Sequence, residues 1–234
     1  MDGFFEKFSI YDFFNLLFGG GVFIIGLHLL QLPLLDFLIN GIKIPDNNII
    51  TLTLSLSICY LIGLELQGIG HRFEKSCSRK MTESFLRDDS AVIDHEEKLR
   101  IYQKKAKELF TKKGIDIKED HFEKRHCEYF FAHCIYYIQI RDESWKPEKM
   151  RSLKGLSRIL MTCFACLSLI GVILGIPHLI YKGASLFEFL IIFIMILGFC
   201  ALSVTNFFRM KQNTRFWIRM VLGLYEACSD QSSN

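Results

Sequence analysis

Residues 159–181 read ILMTCFACLSLIGVILGIPHLIY, 23 positions without one formal charge. A hydrocarbon core of roughly 30 Å needs about 20 helical residues, so this run is long enough to cross it. Three more uncharged runs surround it: residues 13–35 (23 positions), 47–64 (18) and 189–208 (20). None alternates apolar with polar residues, as barrel strands do. A backbone in lipid must satisfy its own hydrogen bonds, so the runs are read as helices. The expected spans lie at about 13–35, 47–66, 159–181 and 187–208, the second stopped near Glu65.

The charges sit elsewhere. Of 28 Lys+Arg in 234 residues, 21 lie between His71 and Arg158, with 16 of the 25 Asp+Glu. That segregation excludes a soluble globular enzyme, a disordered tail and an ordinary nucleic-acid-binding domain, so no direct nucleic-acid binding is expected. Basic residues mark the cytoplasmic side of short membrane connections. Only Lys43 follows the first span and only Lys182 the third, whereas Arg209, Lys211, Arg215 and Arg219 follow the fourth. The consistent topology is multi-pass in a bacterial inner membrane with both termini cytoplasmic. It gives four segments: a first pair of spans (1–70), a cytoplasmic helical domain (71–158), a second pair (159–208) and a cytoplasmic amphipathic tail (209–234). The first span lacks a basic leader and a small-residue cleavage site, so it is read as retained. Eight Cys without extracellular framework spacing point to reduced thiols.

The central segment reads as helices. Ser90 is placed to cap a helix whose apolar positions Val92, Leu99, Tyr102, Ala106 and Phe110 recur at helical spacing, with Gly114 as its stop. A second helix is expected from about Asp120. It carries Tyr129, Phe130, Phe131, Ile135, Tyr136, Tyr137 and Ile138, too apolar all round for a solvated helix. It must pack on partner helices or a neighbouring subunit, and Tyr129, Phe130, Tyr136 and Tyr137 are its candidate partner surface. A third helix is expected from Pro147 into the third span, and the second span should extend through Gly68, Gly70 and Arg72.

Several motifs invite chemistry. His126–Cys127 and His133–Cys134 recur at seven residues, which would gather soft ligands on one helix face. Adjacent His and Cys diverge by about 100° on a helix, however, and buried Cys and His are commonly core residues. Packing is the preferred reading, with no metal or cofactor. Cys163 and Cys166 form a C-x-x-C inside a span, where an exposed, low-pKa thiol is not expected. Arg87 to His95 and Arg125 to His133 each enclose seven residues, which misses the Arg–His spacing of HEPN-type ribonucleases. No nucleophile–base arrangement is legible, so the chain reads as a non-enzyme.

Glu65 is the candidate membrane-functional residue, as a pore- or proton-facing carboxylate paired with His28, or as an interfacial acid beside the polar residues 67–71. Gly19, Gly20 and Gly21 interrupt the first span and point to close helix packing, foremost between subunits, with a local kink or neutral tolerance as the alternatives. Pro177 and His178 mark a bend or close contact in the third span. Phe4, Phe5 and Phe8 near Lys7 resemble an interfacial foot. After the fourth span, Phe216, Trp217, Met220, Val221 and Leu224 alternate with Arg215 and Arg219, a pattern that suits either the inner leaflet or packing on the cytoplasmic helices.

The opening SIYDFFNLLFGGGVFIIGL (residues 9–27) resembles the start of small bacterial four-span proteins that often begin with Tyr-Asp and a Pro-Gly in the first span. Tyr11 and Asp12 match, while Gly19–Gly20 stands in place of Pro-Gly. YLIGLELQGIGHRFE (60–74) looks like their second span and SLKGLSRIL (152–160) like the entry to their third. Such proteins occur among the membrane components of anti-phage systems, and the layout is similar to that of the accessory membrane protein of type VI-B CRISPR loci. The resemblance implies an accessory or effector role in antiviral defence. It transfers no active-site residue. The glycine-interrupted first span, Glu65 and the over-apolar helix around residues 129–138 point to a homo-oligomer that alters membrane permeability, or regulates a soluble partner, when its cytoplasmic helices receive a protein partner or small ligand. The alternative is a scaffold or anchor for a cytoplasmic partner without pore activity, and a transporter or membrane enzyme is the least expected. The expected fold is an all-α membrane protein with four transmembrane helices and a helical cytoplasmic domain between spans two and three.

Overall fold

The computed structural model describes residues 10–30, 48–87, 92–115, 122–141 and 145–231. Helix makes up 91% of them, and no strand occurs among the described residues. The helices are α1 (Ile10–Leu29), α2 (Asn48–Ser84), α3 (Glu96–Lys112), α4 (Lys124–Ile140), α5 (Trp145–Ile170), α6 (Ile176–Lys182) and α7 (Leu186–Gln231). A π-helical turn, Gly171–Gly175, joins α5 to α6. Four stretches are long and apolar enough to cross a membrane: Ile10–Leu29, Ile49–Glu74, Lys146–Lys182 and Leu186–Asp230. The foot at Phe4, Phe5 and Phe8, the cap at Ser90 and the end of the first span beyond Leu30 lie outside the described residues.

The chain divides into two compact units. The first comprises Met1–Arg72 and Ser152–Met210, the second Phe73–Arg151 and Lys211–Asn234.

In the first unit the apolar helices alternate in direction. Gly20 lies on the Cys59 carbonyl and Gly63 on Leu16, so α1 and α2 run antiparallel. Gly19 meets Ile159 and Gly26 meets Leu167, so α1 and α5 run parallel. The Ser203 hydroxyl donates to the Met161 carbonyl (3.0 Å), and Ser168 lies 2.8 Å from Cys200, so α7 returns beside α5. The core contains Leu16, Leu27, Leu66, Ile159, Leu167 and Phe199. Exposed apolar side chains such as Leu61, Ile173, Phe187 and Phe193 face outward, as lipid contact requires. Ser185 and Glu188 open α7 with a reciprocal cap: the Ser185 N–H donates to Glu188 Oε2 at 2.7 Å. The π-helical turn has a local cause. Pro177 offers no N–H to the preceding turn and its ring crowds the carbonyl there, which a widened turn accommodates.

The second unit packs an aromatic core. Phe85, Tyr102, Phe110, Phe122, Phe130 and Phe131 join Ile218, Val221, Leu222 and Tyr225 from α7. The amphipathic C-terminal segment thus places its apolar stripe in this core, with Trp217 edge-on to Phe131 at 5.0 Å. All five apolar positions anticipated for α3 are buried. The helix begins at Glu96, later than the sequence pattern suggests. Arg219 donates from Nε to the Val92 carbonyl (2.6 Å) and pairs with Asp94, which keeps the residues before His95 out of the helix. Gly114 then ends the turn after α3 at φ 67°, a left-handed conformation that suits glycine.

Candidate functional site

The triple glycine divides by neighbour. A methyl group on Gly20 would overlap the Cys59 carbonyl, and one on Gly19 would overlap the Ile159 side chain. Gly21 has open space. Gly19 and Gly20 are therefore occupied by helices of the same chain, which corrects the expectation of packing between subunits there. The sequence reading missed the partners of this seam: Gly63 on the Leu16 backbone, Gly26 on Leu167, Gly70 on Arg158 and Thr162, and Gly171 on Ile196. Cys59-x-x-x-Gly63 carried the signal, small residues four apart on one helix face.

Glu65 and His28 do not pair. The antiparallel contacts Gly20–Cys59 and Leu16–Gly63 set the register. Measured from the first of them, His28 lies toward one end and Glu65 toward the other, about 20 Å apart along the helix axes. Both side chains are exposed. Glu65 precedes Gln67, His71 and Arg72, faces outward and does not line the bundle interior. This geometry fits an interfacial carboxylate, which costs far less than one at the bilayer centre.

The aromatic face of α4 also divides. Phe130 is fully buried between Phe85 (6.4 Å) and Tyr225 (5.7 Å), so it is core and not a partner surface. Tyr137 is half-buried against Tyr225 at 5.3 Å, under the Arg141 guanidinium. Tyr129 (44% exposed) and Tyr136 (64%) remain at the surface, together with Ile140. Alternation explains the split: residues 127, 130, 131, 134 and 138 share the helix face turned to the core.

The paired His–Cys motifs separate in the same way. Cys127 and Cys134 are fully buried, and burial pushes both thiols up, away from the thiolate that metal binding or redox exchange requires. His126 turns aside to accept the Glu123 N–H at Nδ1 (3.2 Å), so it caps α4. His133 stacks edge-on to Tyr225 at 5.9 Å, and burial together with Lys113 pushes its pKa down. Among the described residues, no three His, Cys, Asp or Glu gather as metal ligands would.

No protein family, curated protein or solved structure matches the chain. The site must therefore be read from its own geometry. A recess of about 360 Å³ in the second unit lies between α3, α4 and the end of α7. Lys105, Glu108, Lys112, His133, Tyr225 and Asp230 line it. Lys105 donates to Ser229 Oγ (2.7 Å) and Asp230 Oδ1 (2.8 Å), so much of its charge is compensated within the chain. On the inner side, the Tyr102 hydroxyl donates to Glu226 Oε2 at 3.1 Å. These polar groups fasten the end of α7 to α3, and the mixed charge of the recess selects no single ligand class.

Burial, followed by Cys134, Tyr137 and Glu108, pushes the Tyr225 phenol up to about 12. A phenol raised in the folded state stabilises the fold fully below its ordinary value near 10, and that contribution is lost as pH rises through the folded value. The second unit should therefore loosen between pH 10 and about 12. Tyrosinate absorbance, followed with tryptophan fluorescence, should show two late-ionising phenols, Tyr225 and the Tyr102 that burial and Glu226 also push up, and one fewer of them in Tyr225→Phe. Full ionisation near pH 10 in the wild type would contradict the buried placement.

Proposed function

We propose that the chain is a non-enzymatic accessory protein of a bacterial inner membrane. Its four spans tether a folded helical domain in the cytoplasm, where that domain receives or regulates a soluble protein partner. By resemblance, the setting is antiviral defence. One observation carries the reading: 21 of 28 basic residues lie in the segment between His71 and Arg158, most of which folds on an aromatic core of its own, while the spans are nearly free of charge. Exposed Tyr129, Tyr136 and Ile140 offer the partner an apolar patch on α4.

A pore is the second reading, in which a homo-oligomer alters membrane permeability. Leu52 to Ile58 of α2 are all exposed, a face open to a second copy as well as to lipid. Against a pore within one chain stands the bundle interior, filled by Leu16, Leu66, Ile159 and Leu167.

Reporter fusions and a voltage-sensitive dye test both readings. Alkaline phosphatase should be active when fused after Lys182 and inactive when fused within α3 or after Asn234. Membrane potential should stay normal on expression of the wild type and of Glu65→Gln. An active phosphatase in α3 would overturn the topology. Depolarisation by wild type but not by Glu65→Gln would transfer the proposal to the pore.

A further inference from the structure

The two ends of the membrane bundle differ in charge. Asn15 donates to the Ser152 carbonyl (3.0 Å), Gly70 lies on Arg158 and Ser203 bonds Met161, so these contacts gather one end. Among the described residues of the first unit, that end carries Arg72, Lys154, Arg158 and Arg209 against Asp12 and Glu65. The other end carries Lys182 against Glu188.

Arg72 and Arg209 are exposed, on different helices, and each adjoins outward apolar side chains. Ile69 (40% exposed) lies one turn before Arg72, and Phe208 (63%) directly precedes Arg209. A long basic side chain can lay its stem along such apolar neighbours while lifting its charge to the headgroup level. Arginine suits phosphate because its planar fork can donate two hydrogen bonds to one anion. Basic residues at a membrane surface also attract anionic lipids over zwitterionic ones.

We propose that this end of the bundle preferentially binds anionic phospholipid, with headgroup phosphates on Arg72 and Arg209 and acyl chains along Ile69 and Phe208. The inference rests on the membrane reading above and adds the class of lipid held. Full-length protein is exchanged into micelles doped equally with phosphatidylglycerol and phosphatidylcholine, and retained lipid is counted by native mass spectrometry. Phosphatidylglycerol should be retained over phosphatidylcholine. The double variant Arg72→Gln, Arg209→Gln should reduce that preference about tenfold or more. Arg100→Gln, an exposed change on α3, should leave it intact. Equal retention of the two lipids, or an unchanged preference in the double variant, overturns the lipid assignment alone. Retention of inorganic phosphate with neither lipid retained would assign the arginines to a soluble anion and overturn it as well. Release of the chain from membranes by carbonate washing would instead remove the membrane reading, and the lipid inference with it.

Discussion

Replacing Gly20 by leucine should unfold the membrane bundle at temperatures where the wild type persists. The obstacle is not a movable side chain. A methyl group at Gly20 falls on the Cys59 carbonyl, and across the same seam a methyl at Gly63 falls on the Leu16 carbonyl. Two helix backbones are in contact there, and the larger residue can fit only if α1 and α2 separate. Overpacking of a well-filled interior typically costs about 1–3 kcal/mol, and a backbone obstacle places this change at or above the upper end. The loss extends beyond one pair, because adjoining Gly19 sets α1 against Ile159 of α5. Gly21→Leu is the control: it adds the same volume to the same helix where nothing lies within 4 Å of the added Cβ. Thermal unfolding in detergent should show a clear drop for Gly20→Leu and Gly63→Leu and little change for Gly21→Leu. If Gly21→Leu proved the most damaging of the three, the in-chain seam would be wrong and packing between subunits would return.

The spans were legible in the sequence because a bilayer imposes a length and a charge rule that any single run must meet alone. The buried face of α3 was legible for a related reason: helical spacing places Leu99, Tyr102, Ala106 and Phe110 on one stripe whatever the partner. What partners a stripe is a different matter. Phe130 and Tyr136 lie six residues apart on one aromatic helix, one fully buried and the other 64% exposed. The difference is made by distant partners, among them Phe85 and, far along the chain on α7, Tyr225. The start of α3 depends likewise on Arg219, 127 positions beyond the Val92 carbonyl that it holds. Gly63 looked like an isolated glycine until the register against Leu16 was known. Glu65 and His28 invited pairing because the sequence holds few other acidic or basic groups in the spans, and only the antiparallel contacts of α1 and α2 place them at opposite ends. Long-range register was the missing information in each case, since local pattern carries periodicity and no distances.

Truncating Phe130 to alanine should bring the second unit close to collapse. The ring is fully buried and packs against Phe85 and Tyr225. Removing a buried Phe side chain usually costs about 3–5 kcal/mol, through lost burial and the cavity left behind. Whole domains are commonly stable by only about 5–15 kcal/mol, so this one change takes a large share. Tyr136→Ala on the same helix makes the contrast, since exposed substitutions usually stay within about 0.5 kcal/mol. Limited proteolysis of the full chain in detergent reads both. Phe130→Ala should admit cleavage in α3 and α4 at protease levels the wild type resists, while Tyr136→Ala keeps wild-type resistance. The pair also separates stability from recognition. If Tyr136 belongs to the surface that a cytoplasmic protein covers, its truncation should weaken co-purification of that protein without altering the proteolytic pattern. If Tyr136→Ala matched Phe130→Ala in proteolysis, α4 would be turned the other way in the domain, and the assignment of its exposed tyrosines to a partner would fall with it.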